Sequence, residues 1–190
     1  MNKAKRLRAW EEVPLGQEGI LDAKLAAQKI KRYKPKMIYS SDLSRDLATA
    51  NVIANELDNI PFEVDYGLRT ADMGELGGMK EEDAAPIVSR WYQEPWQHAP
   101  SGESLNEFLK RYYPAFDLKF NLAKESEAYR PTVIVSHGRN LAAIHARSLM
   151  LPQWQAEMPF PGGVMAVYLD ELGRQSVEFL SNTEPIIEDR

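Results

Sequence analysis

Short apolar segments alternate along this chain with longer segments whose apolar residues recur at helical spacing. Residues 19–33 carry apolar side chains every three or four positions, which predicts a helix that ends before Pro35. Residues 37–40 follow as a short apolar run, typical of a buried parallel strand. A second helical stripe covers residues 43–57, and strict alternation then predicts a strand with one face in the core, formed by Phe62, Val64 and Tyr66.

The second half continues the alternation after a less regular middle. Ser104 and Glu107 form a capping box at the start of a long helix that we expect to bend near Pro114. Residues 132–135 form the strand with the most buried appearance, and a helix is predicted at residues 141–149. Two final apolar segments predict a closing hairpin, with strands 164–169 and 175–180 around a turn at residues 171–173.

Helices that alternate with strands predict the α/β class, with a mostly parallel central sheet between two layers of helices. The chain has 190 residues and no visible linker, so we expect one domain over residues 1–190. In such sheets, ligands bind outside the carboxyl ends of the strands. The ends of the predicted strands are therefore the places to search for a site.

Composition excludes several classes of function. The net charge of −5 argues against nucleic acid or an anionic membrane as the main partner, since both require a basic surface. The absence of cysteine excludes thiolate chemistry and cysteine-based zinc sites, and three dispersed histidines give no metal motif. No secretory signal or membrane span is visible, so we expect a cytoplasmic protein without metal or cofactor.

Three predicted strands lead into polar groups, and these include Arg45, Asp72 and His137. Each residue alone has an ordinary structural interpretation as a surface arginine, a turn residue or a hydrogen-bonded core histidine. Together they provide what phosphoryl chemistry requires. An arginine binds phosphate oxygens in pairs, an imidazolium stabilises negative charge, and a carboxylic acid protonates the leaving oxygen.

The order of motifs resembles the histidine phosphatase superfamily, whose fold is that of the phosphoglycerate mutases. Residues 41–50 resemble its S-x-L-x-R-A-x-x-T-A segment, and residues 68–78 its L-R-E-x-x-x-G-x-x-x-G turn. Residues 100–104 resemble its G-G-E-S helix start, and residues 133–140 the strand that leads to its second catalytic histidine. The resemblance implies that Arg45 binds phosphate and that His137 stabilises the transferring group.

The resemblance also covers the amino terminus, but it begins after the first motif of the family. Asn2, Arg6 and Trp10 match positions that follow the family's Arg-His-Gly tripeptide, which implies phosphate-binding roles for Asn2 and Arg6. The tripeptide, its nucleophilic histidine and the first, central strand of the sheet have no counterpart after Met1. We therefore expect either a native start upstream of Met1 or another segment that fills the place of this strand.

Two further interpretations concern the pocket. Arg8 lies between Arg6 and Trp10, and these three side chains either line the mouth of the site or belong to a solvated loop. His98 and His145 lie at positions that do not match the missing nucleophile, so we do not expect either to replace it.

The proton donor departs from the family pattern, because Thr70 stands where the L-R-E motif has its glutamate. A threonine hydroxyl cannot act as an acid near neutral pH. Asp72 matches the acid of a branch that reads L-R-P-W-D-x-G and is our first candidate for the donor, with Glu75 second. The alternative is that Asp72 only orders the turn.

The resemblance implies hydrolysis of a small phosphomonoester through a phosphohistidine when the upstream Arg-His-Gly is present, with inorganic phosphate as the other expected ligand. About thirty residues separate Asp72 from Ser104, and this short connection favours a phosphatase over a mutase. The main alternative is a non-catalytic phosphoester-binding or regulatory pseudophosphatase. A purely structural protein with a relict site is a third interpretation. The open place of the missing strand favours a homo-oligomer.

Overall fold

The computed structural model describes residues 5–124, 131–157 and 162–180. Five α-helices lie in these residues: α1 (Gln17–Lys31), α2 (Ser44–Glu56), α3 (Glu81–Gln93), α4 (Leu105–Lys124) and α5 (Gly138–Leu149). The described strands are β1 (Met37–Ser40), β2 (Phe62–Val64), β3 (Thr132–Ile134), β4 (Val164–Leu169) and β5 (Gln175–Leu180). Single 3₁₀ turns cover Tyr66–Leu68, Gly74–Leu76 and Gln153–Gln155.

The strands form two separate sheets in the described part of the chain. β1 is the middle strand of a parallel sheet with the order β2-β1-β3, in which Ile38 lies beside Phe62 on one side and Val133 on the other. β4 and β5 form an antiparallel hairpin with Val164 opposite Leu180. The predicted parallel sheet and closing hairpin are therefore confirmed.

The two faces of β1 contact different hydrophobic cores, because successive side chains of a strand point in opposite directions. Ile38 is fully buried and packs with α1, α2 and Val135. Tyr39 points to the other face, where it joins the larger core formed with α4 and α5. Helices thus cover both faces of the sheet, as the predicted three-layer α/β/α arrangement requires.

The predicted burial of two strands, β2 and β3, is wrong. β2 was expected to bury one face, but Phe62 is 38% exposed and Val64 is 50% exposed. β2 pairs only with β1 among the described strands, so it forms an edge of the sheet, and Tyr66 already belongs to a 3₁₀ turn. β3, expected to be the most buried strand, is only partly buried because its second edge borders a cavity.

Helix α3 was not predicted, although it fills most of the irregular middle. Its interior contains Pro86, which removes a backbone donor and weakens any helical pattern in the sequence. Tertiary packing compensates, because Ala84 and Trp91 are buried in the larger core. The indole of Trp91 also donates to the Glu103 carbonyl at 2.8 Å. The capping box at Ser104 is confirmed, since Glu107 accepts from the Ser104 amide at 2.9 Å.

A single arginine holds together the loop that follows β2. The Arg111 guanidinium donates to the carbonyls of Gly67, Arg69 and Thr70 at 3.1 Å each. It also donates to both carboxylate oxygens of Glu103 at 2.9 Å. These contacts use the complete fork of donors that only arginine has. Arg111 therefore sets the path of the loop that carries the candidate acid residues.

We predict that Arg111→Met lowers the free energy of unfolding by about 3 kcal/mol, because it leaves Glu103 and three carbonyls without their donor. Arg111→Lys should recover less than half of this loss, since an ammonium cannot reproduce the fork. Urea unfolding followed by circular dichroism measures both values. Arg174→Met is the matched control, because Arg174 pairs with Asp170 on the surface and is 72% exposed; equal losses in the two variants would contradict this role of Arg111.

Candidate active site

A cavity of about 1340 Å³ separates β3 from β4 and reaches the carboxyl end of β3. Ordinary ligand pockets measure roughly 300–1,000 Å³, so this space is larger than a small phosphorylated molecule requires. Residues 131–138 form one wall, residues 162–168 form the opposite wall, and α1 closes one side. Arg8, Arg45, Asp46 and His137 also line it. The two residues predicted to bind phosphate, Arg45 and His137, thus share one cavity.

Arg45 lies in the first turn of α2 and is partly buried. Its guanidinium donates to the Ala9 carbonyl at 2.7 Å and to the Glu11 carbonyl at 2.9 Å, so it also fixes the loop before α1. Burial lowers the pKa of Arg45 from its ordinary value, while nearby Asp46 and Glu12 act in the opposite direction. A guanidinium stays charged at neutral pH, and these two contacts use two of its five N–H donors.

His137 is the residue before the first turn of α5, where free backbone amides favour an anion. Its Nε2 atom lies 2.6 Å from a carboxylate oxygen of Asp46. This contact lacks hydrogen-bond geometry, since Nε2 has no hydrogen-bond partner, and it is an ion pair only when the imidazole is protonated. The same Asp46 oxygen accepts from the Ser41 hydroxyl at 2.5 Å. Asp46, only 5% exposed, therefore joins the end of β1 to the end of β3.

Buried side-chain polar atoms without a hydrogen-bond partner concentrate in one place. Within the described residues they are Ser136 Oγ, His137 Nε2, Arg139 Nε and Asn140 Oδ1. All four belong to the segment that leaves β3 and enters α5. Buried polar atoms are normally paired, and each unpaired one costs about 1–3 kcal/mol. The end of β3 therefore has hydrogen-bonding capacity for groups that lie outside these residues.

Arg69 connects the loop after β2 to the end of β1. Its guanidinium donates twice to Asp42, at 2.6 Å for each oxygen, and lies over the rings of Trp10 and Tyr66. The hydrogen bonds from Arg69 lower the pKa of Asp42 below its ordinary value. The backbone of the same loop is also held by Asn140, whose amide donates to the carbonyls of Leu68 and Arg69.

The two candidate proton donors lie outside the wall of the cavity. Asp72 accepts from the Gly74 amide at 2.9 Å, and its own amide donates to Glu103 at 3.0 Å. Glu75 is exposed and accepts from the Ser101 hydroxyl at 2.6 Å. Gly74 has φ +49°, and any side chain there would meet the Pro100 carbonyl at 2.1 Å. The turn that carries both carboxylates is thus packed tightly against residues 100–102.

The amino-terminal residues were expected either to line the mouth of the site or to belong to a solvated loop, and they differ in this respect. Arg8 lines the cavity, whereas the Arg6 guanidinium donates to the Gly78 carbonyl at 2.6 Å on the surface. Trp10 donates to the Thr70 carbonyl at 2.7 Å and packs edge-on against Tyr66. Asn2 lies outside the described residues. The phosphate-binding roles of Asn2 and Arg6 accordingly stay predictions, and Arg6 is placed away from the cavity wall.

The other two histidines have structural partners away from Arg45. His98 is exposed, contacts the Gly102 carbonyl at 3.0 Å and lies 3.3 Å from Glu107. His145 is buried beside Phe179, and its Nδ1 accepts from the Glu157 amide at 3.0 Å. Across the described ranges, no cluster of three or more His, Cys, Asp or Glu side chains is arranged to hold a metal ion. No helix of those ranges is long and apolar enough to cross a membrane.

Comparison with known proteins decides the family. The family model for the histidine phosphatase superfamily (branch 1) matches residues 1–181. The chain belongs to this superfamily. It is 30% identical over 156 residues to the probable phosphoglycerate mutase GpmB of Yersinia pestis (strain Pestoides F), and the match covers 80% of this chain and 70% of that protein.

Solved structures show the same fold. A mycobacterial glucosyl-3-phosphoglycerate phosphatase in complex with VO3 superposes with a TM-score of 0.77 at 24% identity, over 94% of this chain and 91% of that one. The same phosphatase with inorganic phosphate gives a TM-score of 0.74 at 23% identity, over 92% and 90%. The protein TTHB049 of Thermus thermophilus gives a TM-score of 0.64 at 27% identity, over 95% and 92%. The phosphoglycerate-mutase-like α/β fold is therefore confirmed.

Sequence reasoning missed one residue of the site. The family segment S-x-L-x-R-A-x-x-T-A has alanine after its arginine, and this chain has Asp46 there. A second signal was its position four residues before Ala50, on the buried face of the predicted helix α2. A carboxylate on a buried helical face requires a partner. His137 and Ser41 are those partners.

We predict that the ion pair between Asp42 and Arg69 contributes to stability only above acidic pH. A carboxyl group with a lowered folded-state pKa stabilises the fold above its unfolded pKa, about 3.9, and loses this contribution as pH falls through the folded value. Asp42→Asn should therefore be less stable than the parent protein at pH 7, and the difference should shrink below about pH 4. Urea unfolding across this range measures it.

The control for this prediction is Glu63→Gln, on the exposed strand β2. Its difference from the parent protein should be small at both ends of the pH range, because an exposed surface charge contributes little. A constant difference between Asp42→Asn and the parent protein from pH 7 to about pH 3 would contradict the assignment.

Proposed function

We propose that this domain serves phosphomonoester hydrolysis, with the phosphoryl group bound at the end of β3 between Arg45 and His137. The observation that carries the proposal is that both residues line one cavity, where the buried Nε2 atom of His137 has no hydrogen-bond partner. A tetrahedral oxyanion supplies the acceptors that arginine, imidazole and helix amides require.

We further propose that a β-strand fills the cavity between β3 and β4 and brings the nucleophile. Val135 donates its amide to Tyr39 on β1, so the neighbouring backbone groups of Ile134 point to the opposite edge, toward the cavity. β4 pairs only with β5 among the described strands and lines the other side. A strand placed between them would pair with both edges, and in the superfamily this strand carries the Arg-His-Gly tripeptide.

Only a few side chains take part in the proposed reaction. The imidazole of the added strand attacks phosphorus, a new N–P bond forms, and the ester P–O bond breaks. Arg45 and His137 stabilise the charge of the transferring phosphoryl group. We propose Asp72 as the acid that gives a proton to the leaving oxygen, with Glu75 as the second candidate. Water then breaks the N–P bond and releases inorganic phosphate.

The proposed substrate class rests on the charge of the site and on the relatives. We propose a small phosphorylated metabolite, because Arg45 and His137 place cationic groups in a cavity of an acidic protein. The structural relatives include a glucosyl-3-phosphoglycerate phosphatase, and a relative in sequence is a probable phosphoglycerate mutase. The short connection between Asp72 and Ser104 favours hydrolysis over isomerisation.

A second candidate function is phosphoester binding without turnover, as in a regulatory pseudophosphatase. The specific observation in its favour is the placement of the three histidines of the sequence. His98 lies on the surface, His145 is engaged behind the site, and His137 is paired with Asp46, so none is placed as a nucleophile. Without the added strand, binding is the activity that Arg45 and His137 support.

The other expectations from the sequence are proposals as well. We propose a cytoplasmic location and, with the open edge of β3 as its basis, self-association in the absence of the added strand. Light scattering on the 190-residue chain gives the oligomeric state directly.

We predict that this chain binds inorganic phosphate or orthovanadate and that Arg45→Ala weakens binding by about 100-fold, the loss of one charged hydrogen-bonding partner. Isothermal titration calorimetry at neutral pH measures the affinity. Arg90→Ala is the control, because Arg90 lies on the exposed side of α3 in a surface pair with Glu94. Equal affinities of Arg45→Ala and the parent chain would remove Arg45 from the site.

We predict that a chain extended by a strand with Arg-His-Gly hydrolyses p-nitrophenyl phosphate and that Asp72→Asn then lowers kcat by about 100-fold or more. Intact mass of the native protein shows whether such a strand is translated. If Asp72→Asn keeps full activity while Glu75→Gln loses it, the acid is Glu75. An extended, folded chain without activity would contradict hydrolysis and favour the pseudophosphatase.

A further inference from the structure

Asp46 is a buried carboxylate that the proposed reaction does not use. It lies in the first turn of α2, next to Arg45 in sequence, and lines the same cavity as His137. One of its oxygens accepts from the Ser41 hydroxyl and lies 2.6 Å from Nε2 of His137. The other groups of the site are therefore arranged around a negative charge that belongs to the protein itself.

The surroundings of Asp46 are those of an anion site. Carboxylates are favoured in the first turn of a helix, where the amide groups and the helix dipole supply positive potential. Its partners are an imidazole and a hydroxyl, and Arg45 raises the local positive charge. A phosphate bound to His137 and Arg45 would use the same sources of potential. The Asp46 carboxylate thus stands where part of an oxyanion would stand.

The Asp46 carboxylate would repel a phosphate bound at this site. Two like charges about 4 Å apart repel by about 1 kcal/mol in bulk water and by several times more near a protein surface. Phosphate must also take the Nε2 side of His137 away from its present partner or bind through the other ring nitrogen. Both alternatives lower the affinity of the site relative to one with an uncharged residue at this position.

We propose that Asp46 is a specificity-determining residue that competes with phosphate for His137 and thereby keeps the affinity for free inorganic phosphate low. This inference rests on the proposed function, because it assumes that the oxyanion binds between Arg45 and His137. Its consequence for a phosphatase is rapid release of the product. The substrate can offset the repulsion with contacts to its organic group, whereas inorganic phosphate has none.

The competing explanation is that Asp46 orients His137 for anion binding. A carboxylate often fixes the ring of a functional histidine, so this role is a realistic alternative. The two roles predict opposite changes in the affinity for phosphate when the charge of Asp46 is removed. If Asp46 competes, removal of its charge tightens phosphate binding. If Asp46 orients the ring, the same change weakens binding.

Asp46→Asn is the decisive variant, because an amide keeps the volume of the side chain and an oxygen that can accept from Ser41. We expect this variant of the full chain to bind inorganic phosphate about 10-fold more tightly than the parent chain. Asp46→Ala should change the affinity in the same direction. Calorimetric titration with inorganic phosphate, repeated with orthovanadate, gives three dissociation constants for each ligand.

Asp22→Asn is the matched control, since Asp22 lies on α1 and lines the same cavity. It removes the same charge from the wall of the cavity at α1, and its effect on affinity should stay below about twofold because solvent and salt screen charges that do not contact the ligand. Equal or weaker binding by Asp46→Asn and Asp46→Ala, with the parent chain still binding, would overturn the inference alone. Absence of binding by parent and variants, all folded by circular dichroism, would overturn both the inference and the anion site.

Discussion

The backbone edge of β3 that faces the cavity determines the architecture next to the candidate site. β3 pairs only with β1 among the described strands, although the backbone groups of a strand inside a protein normally have hydrogen-bond partners. The cavity between β3 and β4 and the partial exposure of β3 follow from this one-sided pairing. The unpartnered polar atoms of residues 136–140 lie just beyond the end of the same strand. The strand that we propose in the cavity would therefore complete the sheet and also reach the proposed anion site.

Hydrogen bonds that do not involve the open edge of β3 hold the loops around the site in place. Arg111 and Asn140 fix the carbonyls of residues 67–70, and Arg69 ties that loop to Asp42 at the end of β1. Arg45 fixes the loop before α1 through two carbonyls. The loops around the cavity are therefore ordered by hydrogen bonds of their own. A strand or a phosphate that enters the cavity meets a preformed surface, which reduces the cost of ordering on binding.

The sequence predicted most of the regular elements because their patterns are local. β1 was placed at its observed bounds, and α2 begins one residue after the predicted start, with Leu43 as its cap. The hairpin of β4 and β5 was also placed at its observed bounds. Long-range effects were less visible. The exposure of β2 depends on its edge position in the sheet, and α3 forms in spite of Pro86 because Trp91 packs into the core.

The candidate site was predicted in part, for a related reason. Arg45 and His137 follow strands whose carboxyl ends meet, so the position of the strands alone brings them to one cavity. The location of Arg6 at the surface, by contrast, depends on a hydrogen bond to Gly78, seventy-two residues away. The pairing of Asp46 with His137 likewise joins residues from distant parts of the chain. Such contacts are properties of the tertiary structure, and no local pattern indicates them.

We propose the carboxyl end of β3 as an oxyanion site formed by Arg45 and His137. A crystal structure of this chain soaked with orthovanadate is the sharpest test of this site. We expect vanadate at the end of β3, with its oxygens within hydrogen-bond distance of the Arg45 guanidinium and the His137 ring. Vanadate bound only elsewhere on the molecule, with the end of β3 free of it at saturating concentration, would show that Arg45 and His137 do not form an oxyanion site.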